Sequence, residues 1–200
     1  MDLINEIRNE CITAACRAYA RGIQTGNGGN FSARIPGEDK MIVKPSGGSF
    51  VDVSADNLLI CNFDGELISG NGKPTREALL HGLIYKIAPG VNGVMHCHAP
   101  WSIAWAATGK NLEDVTLHQR LKFPGAIRVV DIKTPVVEKN DFPKIEAIFE
   151  NGCAIPGFLL ASHGMVAIGG SIIEAEHNAE FIEETATIAA LRMMLLGRYA

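Results

Sequence analysis

Apolar positions along the first 22 residues recur at helical spacing, with Leu3, Ile7, Cys11, Ala14, Ala15 and Ala18 on one side. The pattern stops at the glycine-rich TGNGGN of residues 25–30, so a helix followed by a tight loop is predicted. The spacing then shifts to short alternating or apolar runs, FSARIP, KMIVKP, NLLICNF and ELISG, which predict antiparallel strands. Asp64-Gly65 separates the last two and favours a hairpin turn. Helical periodicity returns in PTREALLHGLIYKIAPG, where Leu79, Leu80, Leu83, Ile84 and Ile87 share a face and Pro74 suits a first turn. That helix feeds a strand, GVMHCHAP, at residues 93–100. A short helix in WSIAWAATG, an irregular region to about Gly125 and a strand in AIRVVDI come next. DFPKIEAIFENG reads as a helix closed by Gly152, and GFLLASHGMVAIGG as a strand pair or a strand and turn. Ser171 forms a capping box with Glu174, and Ala175, Ala179, Ile182, Ala186 and Ala189 carry a long closing helix to about Leu196.

No internal repeat, low-complexity tract or dividing linker interrupts this order, so residues 1–200 are expected to form a single domain. Helices mixed with hairpin-connected strands point to the α/β class, as a three-layer α/β/α sandwich with a largely antiparallel or mixed central sheet. A hydrophobic content of 47% over 200 residues is enough for one sizeable core. The net charge of -4, with no run of Lys or Arg, offers no basic footprint to nucleic acid or a membrane surface. No apolar stretch reaches the ~18 residues of a membrane span, and the charged, amphipathic MDLINEIRNEC start is unlike a signal peptide, so a cytoplasmic location is expected. Cys11, Cys16, Cys61, Cys97 and Cys153 contain no CxxC pair and read as reduced thiols packed as small hydrophobes.

The chemistry concentrates in GVMHCHAP. On an extended strand His96 and His98 leave the same face, close enough to share one ion, while Cys97 turns to the other side. The spacing equally suits one histidine satisfied in the core and another at a strand end. His163 follows the apolar run GFLLAS and precedes Gly164, where a strand can deliver a third imidazole to the sheet edge; three imidazoles with one open position is the pattern of catalytic zinc. Glu77 lies in the helix that feeds the HxH strand and could reach the same ion or shuttle a proton beside it, or serve only as a helix-dipole carboxylate. His81, one turn later, could orient Glu77 or be interfacial; His177 reads as solvated, and spacing assigns nothing to His118. GNGGNFS and KPSGGS each read as an anion cradle of backbone N–H groups or as a plain turn, and neither is a P-loop or a dinucleotide fingerprint.

Taken in order, GNGGNFSARI, VKPSGG, KPTREALLH, GVMHCHAP and LLASHGMVAIGGSIIEA resemble the class II aldolase/adducin family over nearly the whole chain. Its members include fuculose-phosphate aldolase and ribulose-phosphate 4-epimerase. The resemblance implies a layered α/β/α fold and tetramers with sites at subunit interfaces, hence a homotetramer here. It implies that His96, His98 and His163 hold one Zn2+ per subunit, another divalent metal being admissible, and that Glu77 touches the metal and acts as acid/base. It assigns phosphate or substrate contacts to Gly29 and Asn30, to Ser46 and Gly47, and to Thr75 and Arg76. The activity implied is that of a zinc-dependent lyase cleaving a small phosphorylated ketose by retro-aldol chemistry, through a metal-stabilised enediolate. A decarboxylase of a phosphorylated sugar oxo-acid and a 4-epimerase of a ketose phosphate would need the same metal. A non-catalytic, adducin-like interaction module predicts lost ligands, whereas all three histidines and Glu77 are present. Two positions depart from the family pattern. Gln119 in LHQRL stands where the aldolase has a tyrosine, and Arg76 stands where a second small hydroxyl residue is frequent; its guanidinium could pair with phosphate or with a substrate carboxylate.

Overall fold

The computed structural model describes residues 3–113, 115–123, 125–149 and 155–199. The described residues form eight strands and six α-helices, in the order α1 (Leu3–Ala20), β1 (Asn30–Arg34), β2 (Lys40–Val43), β3 (Leu59–Asn62), β4 (Leu67–Ser69), α2 (Ala78–Ile87), β5 (Gly93–Cys97), α3 (Pro100–Ala106), α4 (Leu117–Lys122), β6 (Val129–Val130), α5 (Phe142–Phe149), β7 (Gly157–Leu160), β8 (Gly164–Gly169) and α6 (Ile172–Tyr199). The strands form one sheet in the order β4-β3-β2-β1-β5-β8-β7-β6. Every neighbouring pair is antiparallel except β6 and β7.

Strand alternation sends successive side chains into two separate cores, one on each face of the sheet. Phe31, Ala33, Met95, Cys97, Met165 and Ala167 pack with residues of α1, α3 and α6. Val43, Cys61, Val94, Phe158, Val166 and Ile168 pack with α2 and α5. This is the three-layer α/β/α arrangement expected from the sequence. Cys97 is fully buried on the α6 side, and Cys11, Cys16, Cys61 and Cys97 are free thiols; Cys153 lies outside the described residues. So does Gly152, the expected end of α5.

Three local expectations are corrected. Pro74 is not in the first turn of α2, because it forms an antiparallel bridge with Pro45 and Ser46 N donates to Lys73 O at 2.8 Å. The helix therefore starts at Ala78 with Glu77 at its N-cap position, and Thr75 and Arg76 fall in the loop before it. The irregular region before Gly125 contains a helix, α4, capped by the Thr116 side chain accepting from Gln119 N at 2.9 Å. The capping box at α6 is shifted by one residue on one side: Glu174 N donates to Ser171 Oγ at 3.1 Å, but Glu174 Oε2 accepts from Gly170 N. Among the described residues no helix is long and apolar enough to cross a membrane.

One buried charge sets a pH dependence for the fold. Glu176 on α6 faces α1, with Oε2 3.3 Å from Arg17 Nε and neither oxygen hydrogen-bonded. Burial, helped by nearby Glu180 and opposed by Arg17 and Arg21, pushes its pKa up to about 7 from 4.5. A folded pKa raised above the unfolded value means stability that is complete below about pH 4.5 and lost as the pH rises to about 7. Glu176→Gln, which fixes the side chain neutral, should therefore raise stability by about 2 kcal/mol at pH 8 and by much less at pH 5. In thermal melts that gain corresponds to roughly 4–8 °C, and equal gains at both pH values would rule out this titration.

Candidate functional site

The centre of the sheet assembles the histidines. Antiparallel pairing places Asn30 opposite His96 and His96 opposite Val166. The β7–β8 turn then returns His163 beside them, closed by His163 N donating to Leu160 O at 3.1 Å. Ser162, the residue before His163, has φ 55 and is the one non-glycine residue in the left-handed region among those described. Two glycines let the 25–30 loop press onto the HxH segment. A Cβ on Gly28 would meet His98 Nδ1 at 2.6 Å, and one on Gly29, whose φ is +60, would meet His96 O at 2.7 Å. Gln24 Oε1 braces the same segment by accepting from His98 N at 2.9 Å.

The ring nitrogens converge. His98 Nε2 lies 3.0 Å from His96 Nε2 and 3.2 Å from His163 Nε2. Tetrahedral coordination at ~2.0–2.1 Å separates nitrogen ligands by about 3.3 Å, so the set suits one ion such as Zn2+. Proton accounting agrees. His96 Nδ1 lies 2.8 Å from the Met165 carbonyl and must donate to it, which leaves His96 Nε2 as a bare lone pair. A proton on His98 Nε2 could serve only one of its two neighbours, so lone pairs face each other unless a cation lies between them. Burial, then the charges of neighbouring rings, holds His98 down to about 4 and lowers His163, which keeps both rings neutral and able to ligate near pH 7. Glu77 Oε2 stands 3.5 Å from His96 Nε2, and Glu77 Oε1 is buried without any partner. Burial works to raise the Glu77 pKa, but the positive charge His96 carries when protonated, together with the Asn30 hydrogen bond, outweighs it and holds the carboxyl below its ordinary range.

One cleft, of about 80 Å3, opens on this cluster and is lined by Gly29, Asn30, Ser46, Gly47, Thr75, Arg76, Glu77, His98 and His163. Every residue assigned above to the metal, to acid/base chemistry or to phosphate contact is there except His96, which is wholly buried behind it. A roomier cavity of about 420 Å3 between the Ile87–Val91 turn and Ile168–Gly170 contains none of them. Residues 9–190 match the model of the Class II Aldolase and Adducin N-terminal domain. The chain belongs to the class II aldolase and adducin family. It is 30% identical over 171 residues to a 3-oxo-tetronate 4-phosphate decarboxylase of Haemophilus influenzae, covering 85% of this chain and 80% of that one. It is 28% identical over 186 residues to a 5-deoxy-D-ribulose 1-phosphate aldolase of Bacillus thuringiensis, covering 93% and 85%. The structure of an L-fuculose 1-phosphate aldolase superposes with a TM-score of 0.85 at 20% identity, over 95% of this chain and 87% of that one, which establishes the shared fold.

Within this class II aldolase fold the cleft holds a buried cation that sequence spacing did not single out. Lys44 also lines it and is 2% exposed, with its ammonium donating to Pro45 O at 3.3 Å and to Gly48 O. Burial lowers its pKa to about 8, and its hydrogen bonds are to carbonyls rather than to a carboxylate. A lysine interrupting the apolar KMIV run just before a glycine turn was the available signal. Gln119, in contrast, is absent from the cleft lining and spends its side chain on α4, accepting from Val115 N at 2.8 Å and donating to Gly125 O at 3.4 Å. His118 lies against Phe181, 5.0 Å between ring centroids, and 3.8 Å from Glu184, while half-exposed His177 pairs with Arg17 at 2.6 Å.

Proposed function

We propose that this chain, acting as one domain in the cytoplasm, is a divalent-metal-dependent carbon–carbon lyase that cleaves a small phosphorylated ketose by retro-aldol chemistry. The observation that carries the reading is the meeting of three imidazole nitrogens, 3.0 and 3.2 Å apart, with a buried carboxylate 3.5 Å from one of them. His96, His98 and His163 would hold Zn2+. When bound, the metal supplies Lewis-acid polarisation of the substrate carbonyl. Glu77, held ionised, takes or returns the proton at its oxygen atoms. The backbone of Gly29 and Gly47, the hydroxyls of Ser46 and Thr75 and the amide of Asn30 offer donors to phosphate, and the Lys44 ammonium adds positive charge. Phosphate bound there fixes the orientation of the reacting carbons through contacts remote from them. A homotetramer with interfacial sites would cover Leu117 and Leu121, which are 80% and 79% exposed on α4.

A second reading, decarboxylation of a phosphorylated sugar oxo-acid, draws on Arg76. Arg76 lines the cleft and has no ion-pair partner among the described residues, so its guanidinium is available to a substrate carboxylate. Similarity to the Haemophilus influenzae decarboxylase favours the same reading. The metal-loaded protein should be assayed against ketose 1-phosphates, ketose 5-phosphates and 3-oxo-acid phosphates, scoring aldehyde release, epimer formation and CO2 release separately. Aldehyde release is expected. CO2 release alone would transfer the assignment to the second reading, and no product from any of them would remove both.

A further inference from the structure

Five buried side chains form an unbroken hydrogen-bond chain that ends on Glu77. Two periodicities meet to make it: Glu77, His81 and Tyr85 recur every four residues along α2 from its N-cap position, and Asn30 and Ser32 alternate on the facing side of β1. Asn30 Nδ2 donates to Glu77 Oε2 at 2.8 Å. Asn30 Oδ1 lies 2.6 Å from His81 Nε2, His81 Nδ1 lies 2.7 Å from Ser32 Oγ, and Ser32 Oγ lies 2.8 Å from the Tyr85 hydroxyl.

The position of every proton follows from the chemistry of the partners. A carboxylate only accepts, so Asn30 presents its NH2 to Glu77 and its carbonyl oxygen to His81. That oxygen only accepts, so His81 carries its proton on Nε2. The His81 ring is wholly buried with only the neutral Ser32 and Asn30 on its nitrogens, which favours the uncharged form, so Nδ1 is a bare acceptor, filled by the single hydroxyl proton of Ser32. Tyr85 then donates to Ser32. All four bonds run in one direction, from Tyr85 to Glu77, an alignment in which each bond polarises the next.

We propose that His81 is a positioning residue for Glu77: its Nε2–H locks the Asn30 amide with the NH2 toward the carboxylate, and Ser32 and Tyr85 lock His81 in the tautomer that does so. This rests on the reading of Glu77 as the acid/base. With the other tautomer, Nε2 would set a lone pair against Asn30 Oδ1, and the relieving amide flip would put a carbonyl oxygen against the carboxylate. The chain leaves Glu77 Oε1, buried and without a partner, as the oxygen free for chemistry.

The test compares His81→Leu, His81→Gln and Glu77→Gln in the Zn2+-loaded protein. His81→Leu should lower kcat about 10–100-fold, the usual cost of losing an outer-shell partner, with KM little changed. His81→Gln, whose amide NH2 can donate to Asn30 Oδ1, should recover most of that loss. Wild-type kcat in His81→Leu, or equal losses in both variants, overturns the role. Nitrogen NMR of the wild-type protein needs no variant to fold: His81 should be protonated on Nε2 at neutral pH, and protonation on Nδ1 overturns the proposal. Full turnover in Glu77→Gln removes the acid/base reading and the His81 role with it, whereas low turnover there beside wild-type kcat in His81→Leu removes the His81 role alone.

Discussion

Glu77→Gln is expected to lower kcat by about 10²–10⁴-fold, the range for a lost general acid/base, while the fold is retained. Gln keeps the shape of Glu and an oxygen that can accept from Asn30 Nδ2, now 2.8 Å from Glu77 Oε2. What it removes is the charge and the basicity beside His96. The wild-type carboxyl is held below its ordinary range by His96 and Asn30 in spite of burial, so it is already ionised at neutral pH. A depressed folded pKa adds stability above the unfolded value of 4.5 that is lost as the pH falls through the folded value. Near pH 7 the variant therefore gives up that contribution, and its turnover has to be read at a temperature where circular dichroism shows it folded. A kcat within about twofold of wild type, far inside the span assigned to acid/base catalysis, would take Glu77 out of the proton-moving role.

The parts of this architecture written in short-range pattern were legible in the chain. Strand alternation in GVMHCHAP put Cys97 opposite His96, and Cys97 is indeed packed with Met95 and Met165 on the α6 side. Long-range pairing was not legible. The Pro45–Pro74 bridge links segments nearly thirty residues apart, and it moved Thr75 and Arg76 out of the expected helix into the cleft. The sheet order depends on pairings such as β1 with β5 and β5 with β8, which no local spacing encodes. The helix α4 escaped notice because Leu117 and Leu121 face outward, so its apolar positions do not mark a buried stripe. In the site, the glycines of GNGGN suggested an anion cradle, and the structure adds a second reason for them: a Cβ on Gly28 would meet His98 Nδ1 at 2.6 Å. Lys44 was missed because burial of a cation beside carbonyls is a tertiary property. His81 showed its spacing to Glu77 but not its link to it, which runs through Asn30 on another element.

Loss of a histidine of the cluster should have the other large effect. Binding of a four-ligand zinc site is worth roughly 10–16 kcal/mol, or about 3 kcal/mol per ligand, so His163→Ala should weaken metal affinity on the order of 10²-fold. His163 is the best position for the change, since it sits in the β7–β8 turn and, unlike His96, is not fully buried. Any metal that remains would be held by two imidazoles and would lose the geometry set by three nitrogens, so turnover should fall with it. The decisive measurement is metal content per chain taken alongside turnover, for wild type and His163→Ala, after chelation and after stepwise return of Zn2+. The wild type should bind one ion per chain and regain turnover in proportion to it, and His163→Ala should stay depleted and inactive at the same free Zn2+. Turnover by the metal-free wild type at the metal-loaded rate would contradict the account.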